Sequence, residues 1–116
     1  MAIAKATVNI LKWNEAIVPE TATAVDASDG LEVVVSGTAI ERTILKLNNT
    51  DDASATAVIK AGDGCMGNAD DLSITIAAES SVYVIVDSKY HQASDDGRII
   101  KITGPAGITV EPFTKL

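Results

Sequence analysis

Residues 70–86 read DDLSITIAAESSVYVIV, and this stretch decides the fold. Leu72, Ile74 and Ile76 alternate with Ser73 and Thr75, so a strand places three apolar side chains on one face and two hydroxyls on the other. Residues 77–80 form a short turn. Residues 82–86 are apolar at every position except Tyr83, which predicts a central strand covered on both faces, with Tyr83 in or near the core.

The same period of two recurs on either side. Residues 42–48 alternate, with Thr43, Leu45 and Leu47 on one face and Ile44 and Lys46 on the other. Residues 49–52 are a polar turn, and residues 55–61 follow as the expected hairpin partner of 42–48. Further strands are predicted at 7–11, at 31–35 after the Asp29-Gly30 turn, at 99–103 and at 108–111, the last two split by Gly104-Pro105-Ala106-Gly107. Residues 87–97 are polar, with a turn at Asp96-Gly97 and room for one helical turn over 87–92. No segment carries a helical period over ten or more residues. Seven to eight short strands with turns every 8–12 residues predict a single antiparallel β-sandwich over residues 1–116, jelly-roll or immunoglobulin-like. Residues 1–12 are expected as an N-terminal arm or an edge strand.

Composition agrees. Thirteen Ile, eleven Val and eleven Thr make about 30% of the 116 residues β-branched, whereas only Trp13, Tyr83, Tyr90 and Phe113 are aromatic. The formal net charge is −7, with Arg42 and Arg98 the only arginines and the lysines scattered singly. A nucleic-acid partner needs a concentrated basic patch to release counterions, and an anionic membrane surface asks for the same, so neither is expected. No run approaches the ~20 apolar residues that span a bilayer. Cys65 is the only cysteine, which precludes an intrachain disulfide. With no secretory h-region recognisable in the first residues, synthesis and maturation in a cytoplasm are expected.

Candidate chemistry is sparse. His91 is the only histidine, near Asp87, Ser88, Ser94 and Asp95. Adjacency in a polar segment does not build a nucleophile–base–acid relay, and a solvated loop histidine is the expectation. Cys65 sits among acids, which do not lower a thiol pKa. Asp63, Asn68, Asp70 and Asp71 offer oxygens, but not at the spacing of a twelve-residue calcium loop, and Asp and Asn serve turns for reasons of their own. Gly62-Asp63-Gly64-Cys65-Met66-Gly67 has the letters of a phosphate loop, yet a strand rather than a helix follows it. Asn48-Asn49-Thr50 has the letters of a glycosylation sequon and is read as a turn. No enzyme, cofactor or metal is expected.

From residue 42 onward the chain resembles a family of small tailed-bacteriophage virion proteins that decorate or associate with the capsid head. The resemblance is carried, in order, by TILKLNNTDDAS, ATAVIKAGDG, DDLSITIAAESSVYVIV, DSKYHQASDDGRIIKIT and GITVEPFTKL. It covers about two-thirds of the chain and extends to residues 1–40 only in outline. Ser80, where the family often has Gly, and the acidic loop holding Cys65 and Met66 depart from its pattern. The resemblance implies a structural protein of the virion, located on the outer capsid surface, made in the host bacterial cytoplasm and bound non-covalently to the major capsid protein. It also implies a homo-oligomer, with a trimer favoured. The expected capsid or subunit contacts are Ile3, Val8, Trp13, Cys65, Met66, Pro112, Phe113 and Leu116, from the N-terminal segment, the 62–71 loop and the C-terminal tail. Unpaired strand edges are further natural attachment elements. A tail or neck component and a carbohydrate-binding β-sandwich are the alternatives; the latter requires exposed aromatics.

Overall fold

A computed structural model describes residues 4–18, 22–35, 43–61, 71–86, 90–94 and 97–115. The chain is all-β, and two mixed sheets pack into a sandwich. Eleven strands are formed among the described residues: β1 (Ala4–Thr7), β2 (Asn9–Leu11), β3 (Thr23–Ala24), β4 (Leu31–Val34), β5 (Ile44–Asn49), β6 (Ala55–Ile59), β7 (Leu72–Ile76), β8 (Ser81–Val84), β9 (His91–Ser94), β10 (Gly97–Thr103) and β11 (Ile108–Lys115). The number exceeds seven to eight because the N-terminal region contributes three short pieces, and the polar 87–97 segment contributes β9. His91 therefore has strand backbone opposite Ile100, not a loop or a helical turn.

The first sheet runs β1-β4-β10-β6-β7, with β9 also on β10. The second runs β2-β11-β5-β8, with β3 also on β11. The long strands β10 and β11 are the axes of their sheets. The connection between them, closed by an Ile108 N–H bond to the Pro105 carbonyl at 3.1 Å, carries the chain from one sheet to the other. Period-two alternation directs one face of each sheet inward. Along β5, Leu45, Leu47 and Asn49 are buried while Ile44, Lys46 and Asn48 are half-buried. Leu45 and Leu47 join Leu31, Val33, Ile59, Ile76, Ile100, Ile102, Ile108 and Val110 in a core shared by both sheets. Each such side chain contributes roughly 1.5–3 kcal/mol by leaving water.

Four sequence expectations are corrected. The 7–11 strand is two strands broken at Val8. β1 lies parallel to β4 in the first sheet, and β2 lies parallel to β11 in the second. Val8 is buried where the chain crosses between them. The sandwich is thus not purely antiparallel. Second, β5 and β6 are not a hairpin: β5 pairs with β11 and β8, and β6 with β7 and β10. The polar turn after β5 crosses between sheets, because Asn49 is pulled into the core instead of exposed in a tight turn. Third, β8 is an edge strand, pairing only with β5 among the described residues. Its outward Tyr83 is 67% exposed, and Ile85, just past it, is 57% exposed. A continuous apolar run is compatible with an edge when one face meets solvent. Fourth, Pro112 is internal to β11 and buried. Lacking an N–H, it is tolerated because it falls where the neighbour of β11 changes from β3 at Thr109–Val110 to β2 at Phe113 onward. The Asn9 side-chain amide donates to the Pro112 carbonyl at 3.0 Å and closes that gap.

Gly30 marks the turn before β4. Its φ is +79°, and a Cβ there would lie 2.8 Å from the Ile102 carbonyl oxygen. The Asp26 carboxylate caps the same turn by accepting the Ser28 and Asp29 N–H groups at 2.8 and 2.9 Å.

Candidate interaction surface

The outward face of the second sheet carries the most distinctive surface chemistry. Alternation along β11, β5 and β8 sends Thr109, Glu111 and Phe113, then Ile44, Lys46 and Asn48, then Ser81 and Tyr83 to the same side. The ladders align them in rows. Phe113 is opposite Ile44, Glu111 opposite Lys46 opposite Tyr83, and Thr109 opposite Asn48 opposite Ser81.

The rows differ in chemistry. In the third, the Asn48 amide donates to Thr109 Oγ1 at 3.2 Å and to Glu111 Oε1 at 3.1 Å, while its oxygen accepts the Ser81 hydroxyl at 2.6 Å. In the second, Lys46 Nζ is 3.9 Å from Glu111 Oε1 and 5.9 Å from the Tyr83 ring centre. A partly exposed ion pair of this length contributes about 0–1 kcal/mol, so its main effect is to orient side chains. The first row is apolar and leads to the end of β2, where Leu11, Lys12, Trp13, Asn14 and Ile44 line a groove of about 360 Å³. Trp13 is 72% exposed, in a turn where Asn14 takes a left-handed φ of 59°. A large indole held in water at a sheet end is a feature of recognition surfaces, since Trp is enriched among residues that anchor interfaces.

Of the expected contacts, the structure brings Trp13 and Phe113 to this face. Val8 and Pro112 are buried within the fold and present no side-chain surface to a partner. Ile3, Cys65, Met66 and Leu116 lie outside the described residues. Of the oxygen-bearing loop residues, Asp71 is described and is engaged. It accepts Lys60 Nζ at 2.8 Å and the Ala61 N–H at 2.7 Å, and these bonds, the Lys60 one first, hold its carboxyl below the ordinary 3.8. Among the described residues no group of three His, Cys, Asp or Glu could hold a metal, and no helix is long and apolar enough to cross a membrane.

Ile44, Ile85 and Leu11 complete the surface and were not singled out from sequence. A signal existed for Ile44: it is an apolar residue on the face of 42–48 opposite Thr43, Leu45 and Leu47. Comparisons with family models, curated proteins and solved structures return no match.

Proposed function

We propose that this chain is a non-enzymatic bacteriophage virion protein that decorates the capsid shell and stabilises it by non-covalent binding to the major capsid protein. The observation that carries this reading is the Trp13 groove: an exposed indole beside Leu11 and Ile44 at the end of a rigid sheet. Such a site offers a small apolar anchor ringed by polar groups, which suits docking on another protein's folded surface. The order of strand motifs from residue 42 onward, similar to head-associated phage proteins, supplies the identity of that surface. Binding adds to shell stability by mass action, since a ligand that binds only the assembled lattice stabilises it. A tail or neck position would use the same surface against a different virion protein.

Co-sedimentation of the purified protein with empty capsids of the phage that encodes it tests this reading. Saturable pelleting supports it, and protein left in the supernatant at all capsid concentrations contradicts it. Deleting residues 1–12 is a poor probe, because it removes β1 and β2 together with buried Ala6 and Val8.

A second reading, carbohydrate binding, is favoured by one observation. Tyr83 and Trp13 are both exposed, and Tyr83 borders the polar row of Glu111, Asn48 and Ser81. Aromatic faces beside fixed donors and acceptors are what a sugar ring requires. Binding to an array of hexose and N-acetylhexosamine oligosaccharides that is lost in Tyr83→Ala would favour this reading over shell docking.

A further inference from the structure

We propose that two copies of this chain join edge to edge through β7 and β8, extending both sheets at once across a twofold axis. This pairing is independent of the shell-docking reading and uses the side of the sandwich away from Trp13.

The strand orders place the open edges together. At one side of the molecule, the N-terminal segment crosses between the sheets at Val8, with β1 along the first and β2 along the second. At the other side, β7 ends the first sheet and β8 ends the second, joined directly through residues 77–80. β7 is bonded to β6 along its whole length, from Ala55↔Ile76 to Ile59↔Leu72, and β8 to β5 from Leu45↔Val84 to Asn48↔Ser81. No described residue pairs with the far edge of either strand. Alternate backbone N–H and C=O groups of both therefore point outward from one side of the molecule.

Two features select a second copy as the occupant. The first is charge. Residues 72–86 carry a single charged side chain, Glu79 in the turn, although 25 of the 116 residues are charged. Edge strands are ordinarily guarded against pairing by lysines, prolines or inward-pointing charges, and here β7 and β8 have none. In a chain of net charge −7, a side whose strands are uncharged and whose one charge is Glu79 in the turn is where two copies approach with least repulsion. The second is incomplete burial. Leu72, Ile74, Val82 and Val84 pack against the core but stay only partly buried, whereas the inward residues of central strands, such as Leu45, Leu47 and Ile102, are fully covered. A neighbour in line with both sheets covers these four side chains.

Symmetry makes the two pairings compatible. A twofold axis perpendicular to the sheets sets β7 antiparallel to its own copy and β8 antiparallel to its own copy, so one operation satisfies both edges. A closed trimer has no such solution, since each β7–β8 side would meet a different edge, and the opposite side is bordered by the exposed Lys5 and Lys12. The proposal thus replaces the trimer that the family resemblance implies with a dimer.

Sedimentation velocity over a concentration series tests this on the full chain, alongside a Thr75→Lys/Tyr83→Lys double variant. Both positions are exposed, so the monomer fold is retained, which circular dichroism and melting temperature verify. The expected result is a wild-type species of twice the 12.0 kDa chain mass and a double variant that is monomeric at the same concentrations. Hydrogen exchange on the wild type gives a second readout: amides in β7 and β8 gain protection as concentration rises. A wild type that is monomeric throughout, a trimer, or a dimer that persists in the double variant overturns the proposal.

Discussion

Asn49, the last residue of β5 in one sheet, donates its side-chain amide to the carbonyl of Ile76, the last residue of β7 in the other, at 3.0 Å. The same amide reaches the Ala53 and Ala77 carbonyls at 2.9 and 3.3 Å, and its oxygen accepts the Asp51 N–H at 3.0 Å. Asn49 is 2% exposed and Ile76 is fully buried, so the Ile76 carbonyl has little water to turn to if the amide is removed, whereas Ala53 and Ala77 are exposed. A buried group left without its partner costs about 1–3 kcal/mol. Asn49→Ala is expected to lower the unfolding free energy by about 2–3 kcal/mol in urea denaturation. A loss under about 0.5 kcal/mol would show that the bonds do not tie the sheets together.

Leu47 and Lys46 are neighbours on opposite faces of β5. Leu47 is fully buried opposite Val110 and Val82, whereas Lys46 faces outward. Leu47→Ala should cost about 2–5 kcal/mol through lost burial and the cavity left behind. Lys46→Ala should cost no more than about 1 kcal/mol, since its ion pair is partly exposed. Equal effects in thermal melts would contradict the assigned facing of β5.

Asp26 and Asp71 predict the response to acid. The Asp29 and then Ser28 N–H groups hold the Asp26 carboxyl below 3.8; the Lys60 bond and then the Ala61 N–H do the same for Asp71. A folded-state value below the unfolded one means that the unfolded chain takes up protons first. The contribution to stability is therefore complete above the ordinary carboxylate value and is lost as pH falls through the folded-state values. The melting temperature should decline below pH of about 4, and Asp71→Asn should flatten part of that decline. A variant with an unchanged pH profile between pH 5 and 2 would remove Asp71 from the account.

How far the sequence discloses this molecule can be seen at β5 and β8. The alternation of Thr43, Leu45 and Leu47 identifies the inward face of β5 correctly, because a period of two depends only on local geometry. The partners of β5 are not legible in the same way. Its ladders join residues 33 to 69 positions away, and the residue that prevents a hairpin, Asn49, has the same composition signal as any turn asparagine. At β8 the run of 82–86 resembles a buried strand. Only the sheet order reveals that Tyr83 and Ile85 meet solvent. Trp13 and Phe113 stand out by rarity alone, whereas Ile44 joins them through the register Phe113↔Ile44, which no local pattern specifies. Pro112 is expected at a surface because it is an apolar residue in the C-terminal tail. It is buried because the interruption falls where β11 changes neighbours.

The shell-docking reading rests on Trp13, and one measurement addresses it most directly. Trp13→Ala leaves the core intact, since the indole is 72% exposed, and its melting temperature should match the wild type. In co-sedimentation with empty capsids, the wild type should pellet saturably and Trp13→Ala should lose at least about tenfold in affinity, the ~1.4 kcal/mol or more expected of an anchoring aromatic. Undiminished capsid occupancy by a folded Trp13→Ala protein would contradict the account.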